Sequence, residues 1–407
     1  MDLLLVFDVG PARQCSCAIS SRSDIVNFMK PSLTDFISTD DLEMLARPVD
    51  QAFALPNHIY TSDEFAKLEN KYLFPRLWVF AGYVHDIATN GDIKPVTVAG
   101  RPILLLRDHD GKIRAFLNSC RHRGMELIDD ARTDAKVIRC PYHSWTYGLD
   151  GRLRSTPHFT GYGKHKIGSN AAMDELGLSA LKCGVWHDWV FVNLDGQAEP
   201  FADYVAPFAA RFSDYDLSVI RHYKHYTIDT AANWKLIMEN FIEPYHIATV
   251  HPLYNKVGPF QEYDIGVDGH CYSVSSAKGY PETWNLQPPT FPNLPEARWH
   301  GTENCSLFPT LWMTASRDFL LSSIVVPVTA ERTRWCWDYY TVGDSAEFET
   351  GYKELADYID EVIAEDPPII EGWHRGMRAS DTARGLFSPP YEHHLQRWQQ
   401  MLVDTMA

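Results

Sequence analysis

Two short stretches constrain this chain more tightly than anything else in its 407 residues: Cys120-Arg121-His122-Arg123-Gly124 and, after seventeen intervening residues past His122, Cys140-Pro141-Tyr142-His143-Ser144-Trp145. Each supplies a thiol and an imidazole, both metal-ligand types. A fold that uses all four must bring two short loops together on a rigid scaffold. Tetrahedral zinc is one occupant such a set can take, although a single residue between Cys120 and His122 is unlike the two-to-four-residue spacing of zinc fingers. A [2Fe–2S] cluster with thiolates on one iron and imidazoles on the other is the second. Spacing alone leaves both open.

The rest of the composition narrows the setting. With 37 basic against 53 acidic residues, net charge −16, the chain is not built around a phosphate-backbone ligand, and no nucleic-acid partner is expected. Eight cysteines, Cys15, Cys17, Cys120, Cys140, Cys183, Cys271, Cys305 and Cys336, are mostly scattered, which suits a reducing compartment better than a disulfide framework. The opening MDLLLVFDVG contains Asp2 and Asp8 and no basic residue, so neither a signal peptide nor a membrane span is expected and the cytoplasm is the default address.

Read along its length, the chain divides into a polar leader over 1–45, with turn-like SSRSD and STDD, and a helical region over 46–75. There Thr61 or Ser62 caps a segment with Phe65, Leu68, Tyr72 and Leu73 at helical spacing. Over 76–205, short runs such as RPILLLRD, IRAFLNS, KVIRC and DWVFVNLDG, divided by Gly-containing turns, predict a small all-β domain holding both Cys/His pairs. Over 206–407, YKHYTIDT, DFLLSSIVVPVT and RTRWCWDYYTV read as strands among helices at 234–250, 345–365 and 390–405. Without βαβ alternation this is an α+β domain around an antiparallel sheet.

The second domain carries NWKLIMENFIEPYHIATVHP. His246 and His251 are five residues apart, about 140° around a straight helix, so the backbone must bend or end between them for one ion to meet both; Pro244 and Pro252 favour this.

Together the motifs resemble those of the Rieske non-haem iron oxygenases, the alpha components of ring-hydroxylating oxygenases: C-x-H-R-G with C-x2-H, then N-W-K…E-N…E-x-Y-H-x4-H about a hundred residues on. The similarity runs from about residue 58 to the C-terminus. It implies an all-β Rieske domain and a helix-grip catalytic domain, with Cys120 and Cys140 on one iron of a [2Fe–2S] cluster and His122 and His143 on the other. Ser144 and Trp145 are candidates to tune that cluster. It further implies that His246, His251 and a carboxylate hold a mononuclear Fe(II) with positions open for O₂ and substrate. The carboxylate is expected in AEDPPIIEGWHRGM as Asp366, with Glu365 its rival. Asn240 and Glu239 are candidates for the iron's surroundings. Glu243 stands where the family has a bridging Asp that joins an iron-ligating histidine to a Rieske histidine, here His143, across a subunit boundary.

The family's reaction uses O₂ and electrons from a separate NAD(P)H-dependent flavin and iron–sulfur reductase, and no G-x-G-x-x-G fingerprint in this chain binds the nucleotide itself. Obligatory transfer between subunits implies a closed ring, expected to be a homotrimer. Glu in place of Asp at 243 is similar to the subgroup acting on carnitine, glycine betaine and stachydrine. A monooxygenase N-demethylating a methylated ammonium compound is therefore expected, with an aromatic cage drawn from Trp284, Trp299, Trp312, Trp335, Trp337, Tyr339, Tyr340 and Trp373. The alternatives are an aromatic-ring hydroxylating dioxygenase and, from another class, a non-catalytic electron-transfer protein with no second iron.

Overall fold

The computed structural model describes residues 33–164, 175–280, 288–343 and 348–407. Cys15, Cys17 and Trp284 lie outside them. The described part of the expected leader already contains regular structure. Residues Leu33–Asp35 form a 3-10 turn and Thr39–Leu45 a helix, α1. The polar STDD, read as a turn, is the helix's capping box: Asp41 N donates to Ser38 Oγ at 3.1 Å and Ser38 N donates to Asp41 Oδ2 at 2.9 Å. Asp41 pairs with Arg384, and Gln396 Nε2 donates to Leu45 O at 2.7 Å. The segment is thus fastened to the C-terminal part of the chain.

Helices α2 (His58–Thr61) and α3 (Asp63–Leu68) follow. Ser62 is the cap of α3, accepting from Phe65 N at 3.2 Å, and Phe65, Leu68 and Leu73 are buried. A π-helical turn, Glu69–Leu73, continues α3 and points Glu69 inward.

Among the described residues, nine strands make up the first domain: β1 (Val79–Tyr83), β2 (Ile93–Val98), β3 (Arg101–Arg107), β4 (Ile113–Leu117), β5 (Ile138–Arg139), β6 (Thr146–Tyr147), β7 (Leu153–Ser155), β8 (Ala180–Trp186) and β9 (Trp189–Asn193). Six form one antiparallel sheet in the order β1-β9-β8-β4-β3-β2, and β5-β6-β7 form a second, smaller one. Between the sheets lies a compact core of Leu104, Leu106, Phe116, Ile138, Tyr147, Leu149 and Leu153, which also includes Cys120 and Cys140. The turn after β6 needs glycine at 151: φ is +83°, and a Cβ there would sit 2.4 Å from the Phe116 ring.

Helix α4 (Phe201–Arg211) leads to β10 (Ile220–Thr230), α5 (Trp234–Phe241) and the one-turn α6 (Ile247–Val250). Strands β11 (Tyr263–Asp268), β12 (Cys271–Gly279), β13 (Gly301–Leu307), β14 (Leu311–Ala315), β15 (Phe319–Thr329) and β16 (Arg332–Val342) then run as a meander. β10 pairs with β16, completing a seven-stranded antiparallel sheet. Helices α7 (Glu349–Ile363), α8 (Asp366–Met377) and α9 (His393–Met406) pack with α5 on this sheet. Trp234 on α5 meets Phe74 and Trp398 with ring centroids 5.3 and 5.6 Å apart. Beneath it Lys235 Nζ and Glu69 Oε1 form a 2.6 Å ion pair between side chains 1% and 2% exposed. Trp189 Nε1 donates to Ser322 Oγ at 3.1 Å, joining the two domains. Among the described residues no helix is long and apolar enough to cross a membrane.

Candidate functional site

The four residues of the Cys/His motifs meet at one end of the first domain. Each pair sits on a loop closed by its own backbone: Gly124 N donates to Cys120 O at 2.8 Å, and Ser144 N donates to Cys140 O at 3.1 Å. Left-handed conformations at Gly124 (φ +73°) and Ser144 (φ +59°) turn the loops back. Both cysteines are buried while both histidines reach the surface, with imidazole centroids 4.8 Å apart. Burial, His143 and Arg123 lower the pKa of His122, favouring the neutral imidazole that can ligate a metal.

Of the two candidates to tune the cluster, Ser144 points elsewhere. Ser144 turns its hydroxyl toward Arg139 Nη2, 3.0 Å away, and the structure gives it no contact with sulfur. The hydroxyl near sulfur is that of Tyr147, fully buried and 3.2 Å from Cys120 Sγ. It accepts from Arg121 N at 3.1 Å, which leaves its proton free to point at the sulfur and stabilise the electron-rich, reduced form, raising the potential of a cluster held there. Tyr147 is two residues from Trp145 in sequence, and this alternation was the available signal. Trp145 is both core and neighbour: 3% exposed, it stacks on His122 at 4.7 Å.

The second group assembles where α5 ends. Ile242 terminates that helix, His246 is the N-cap of α6, and His251 leaves α6 with φ −117° and ψ 60° ahead of Pro252. The break required by the five-residue spacing therefore falls at His251. The imidazoles stand 5.2 Å apart at 77°, and Asp366, at the first turn of α8, joins them: one donor atom each from His246, His251 and Asp366 lie within 4.8 Å of one another. Glu365 faces the other side, its Oε2 2.7 Å from His251 Nδ1, whereas Asp366 Oδ1 is 3.0 Å from His251 Nε2. Glu243 Oε1 lies 2.6 Å from His246 Nδ1 and its Oε2 accepts from His246 N at 3.1 Å and from Tyr245 N.

Each imidazole thus has one nitrogen held by a glutamate and the other aimed at the shared point, the arrangement that fixes a ligating tautomer. Burial opposes a charge on His251, but Asp366 and Glu365 together raise its pKa. Asp366 Oδ1 is buried and has no well-formed hydrogen bond despite its closeness to His251. A divalent ion fits this donor set. It satisfies the orphaned oxygen and has the two-imidazole, one-carboxylate composition of non-haem iron sites.

A cavity of about 160 Å³ opens beside these residues. Asn240 lines it. Glu239 does not: it is 2% exposed and accepts from the Tyr60 hydroxyl at 2.7 Å and from Gln399 Nε2 at 3.1 Å. It ties the N- and C-terminal helices together, and burial pushes its pKa up to about 7. Of the expected aromatic cage, Trp312 and Trp337 line the cavity, while Trp299, Trp335, Tyr339, Tyr340 and Trp373 do not. The wall is completed by Phe241, Tyr254, Tyr263, Tyr280, Phe319 and Tyr358, contributed by separate elements and carrying no common sequence signal. Phe241 and Trp312 stack at 4.7 Å. No lysine or arginine lines the cavity among the described residues.

The profile of the Rieske [2Fe-2S] domain matches residues 77–166, and that of the ring hydroxylating alpha subunit catalytic domain matches 217–407. The carnitine monooxygenase oxygenase subunit of Acinetobacter pittii (strain PHEA-2) is 28% identical over 340 residues, 81% of this chain and 86% of that one. The glycine betaine monooxygenase oxygenase subunit of Pseudomonas aeruginosa (strain UCBPP-PA14) is 31% identical over 208 residues, 51% of this chain and 47% of that one. The fold is shared with a quaternary ammonium Rieske monooxygenase whose structure bears on carnitine oxidation and inter-subunit electron transfer. The TM-score is 0.74 at 22% identity, covering 90% of this chain and 98% of that one.

Proposed function

This chain is an oxygenase component that joins a Rieske [2Fe–2S] domain to a ring-hydroxylating alpha-subunit catalytic domain, and from that premise we propose that it N-demethylates a small methylated ammonium compound. The observation that carries this reading is the cavity: eight aromatic side chains surround it and no side-chain cation lines it among the described residues. Aromatic faces attract a cation, by about 0.5–2 kcal/mol per ring. An aromatic acid has the opposite requirement. Its carboxylate finds no lysine or arginine here and meets Glu243 and Asp366 instead. The small volume also favours a compact substrate, since drug-sized pockets run to roughly 300–1,000 Å³.

In this reading Cys120, His122, Cys140 and His143 hold the cluster, and His246, His251 and Asp366 hold the mononuclear iron. When bound, the cluster supplies single electrons and the iron supplies O₂ activation. The protein's own part is positional. Glu243 and Glu365 keep the outward nitrogens of His246 and His251 occupied so that the inward ones face the metal. Asn240 offers its amide to the cavity, and the aromatic wall holds the ammonium group with one methyl toward the His246–Asp366 side while excluding water. Hydroxylation of that methyl gives a carbinolamine, whose C–N bond breaks to release formaldehyde, a tertiary amine and a proton. The hydroxylation consumes O₂, two electrons and two protons and forms one water, and with the proton released on C–N cleavage the net uptake is one proton.

The electrons come from a separate NAD(P)H-dependent reductase. Glu243 connects His246 to His143 of a neighbouring copy in a cytoplasmic homotrimer. Exposed Tyr142, next to His143, and exposed Tyr245, next to His246, give both centres the apolar surface such a contact needs.

The test is substrate-dependent O₂ uptake with formaldehyde release, using iron-replete protein, a surrogate reductase, and a panel of methylated ammonium compounds and aromatic acids. Formaldehyde formed in step with O₂ use on an ammonium compound is the expected result. Uptake with aromatic acids alone, without formaldehyde, sinks the reading.

A further inference from the structure

We propose that the junction between the two domains holds a second metal site, a zinc ion bound by His85, His222, His225 and Asp338. His85 begins the short turn after β1, in the first domain, and the other three residues belong to the paired strands β10 and β16 of the catalytic sheet. One donor atom each from His85, His222 and Asp338 lie within 4.8 Å of one another. His222 Nε2 is 2.8 Å and His225 Nδ1 3.0 Å from the same oxygen, Asp338 Oδ1.

The strand has been distorted to achieve this. Residues three apart on a regular strand point to opposite faces. The β10–β16 register shifts between His222 and Lys224, and the extra residue returns His222 to the face of His225, directly opposite Asp338 in the pairing. Bulges that re-aim side chains in this way concentrate at functional sites.

Three further features fit a metal better than a set of hydrogen bonds. First, Asp338 is fully buried, and its Oδ2 has no well-formed hydrogen bond although the Tyr83 hydroxyl is near. Second, the imidazoles of His85 and His222 stack with centroids 4.2 Å apart, a poor arrangement for two protonated rings. Third, His85 Nδ1 is engaged by Asp188 Oδ2 at 2.6 Å, and that oxygen also accepts from the Tyr340 hydroxyl at 2.8 Å. This leaves His85 Nε2 to bind an ion, the carboxylate–histidine–metal pattern. Three imidazoles and one carboxylate suit tetrahedral zinc, at about 2.0–2.2 Å per bond. With Asp188 and Asp338 ionised, the charge of the ion is balanced. His225, at 47% side-chain exposure, opens the site to solvent. Asp188 is a positioning residue that acts through His85.

To test this, the full-length iron-replete protein is loaded with zinc chloride, stripped of loosely held metal on a chelating resin, and assayed for zinc and iron by mass spectrometry. About one zinc per chain beyond the iron is expected. His246→Ala, which disrupts the proposed mononuclear iron site, should keep that zinc. His222→Gln and Asp338→Asn should lose it with the cluster's visible spectrum intact, and Asp188→Asn should weaken zinc binding about 10- to 100-fold. If Asp338→Asn fails to fold, the solvent-facing His225→Gln replaces it, with zinc binding again expected to weaken. Wild-type protein that retains no zinc overturns the proposal. So does zinc that disappears with His246→Ala, or persists in full with His222→Gln.

Discussion

Glu365 and Asp366 are adjacent acids that meet opposite nitrogens of His251, and replacing them one at a time separates the roles proposed for them. Asp366 Oδ1 faces the space between the two imidazoles, while Glu365 Oε2 lies 2.7 Å from His251 Nδ1 on the far side of the ring. Removing Glu365 leaves all three proposed metal donors present but frees the His251 ring to rotate or change tautomer. Loss of a hydrogen bond to a charged group costs about 1.5–3 kcal/mol, which agrees with the 10- to 100-fold loss of metal affinity typical for such outer partners. Because the Glu365 side chain is 41% exposed, water can replace part of the contact, and the lower half of that range is expected. The assay is iron retention: dialysis against a graded series of a ferrous chelator, with mononuclear iron read as the excess over the two irons of the cluster. Glu365→Ala should release iron at roughly tenfold lower chelator strength than wild type, and Glu365→Gln should lie between them. Asp366→Ala should hold no mononuclear iron under any of these conditions. Both variants should keep the cluster's visible spectrum. Complete loss in Glu365→Ala with retention in Asp366→Ala would reverse the assignment and refute the reasoning.

Four further outcomes follow from other contacts. Trp312→Ala removes one cavity wall and its stack on Phe241, so the KM for a trimethylammonium substrate should rise about 2- to 30-fold, while that of a neutral tert-butyl isostere should move much less; equal shifts would deny a cation-binding role. Burial raises Glu239 from the ordinary 4.5 to about 7, so its contribution to stability is complete below pH 4.5 and is lost as pH rises through 7, by about 3 kcal/mol in all. Urea unfolding of Glu239→Gln should lack that part of the slope between pH 4.5 and 7, and an unchanged slope would place the titration elsewhere. Glu69→Gln leaves Lys235 buried without its counter-charge and should cost about 3–5 kcal/mol in urea unfolding, whereas the double change Glu69→Gln with Lys235→Met should recover much of it. Finally, His143→Ala and Asp366→Ala proteins, each inactive alone, should regain turnover when co-expressed and co-assembled, since one copy then contributes a cluster and its neighbour an iron; no recovery in verified mixed oligomers would confine electron transfer to single chains.

What could be read from the sequence was whatever one short segment contains. The Cys/His loops are closed by backbone bonds within themselves, and His246 and His251 share one segment whose break was required by a five-residue spacing. Glu365 against Asp366 was harder. Both lie where a carboxylate was wanted, and what favours Asp366 is the start of α8, which begins at that residue and buries its side chain. Polar content misled in STDD, where the residues that suggested a turn are those that satisfy the free backbone groups of a helix. The aromatic wall lay furthest out of reach. With 13% of residues aromatic, a run rich in tryptophan says little: Trp337 on β16 faces the cavity, Tyr340 is sent to the opposite face by the strand's alternation, and Tyr339, on the same face as Trp337, lies further along it against Asp360. Only the register of the seven strands decides which rings converge, and that register depends on pairings between segments more than a hundred residues apart, such as β10 with β16. The same dependence explains why His222, His225 and Asp338 carried no signal. A bulge in one strand and a turn in another domain have to be known before three scattered residues become one site.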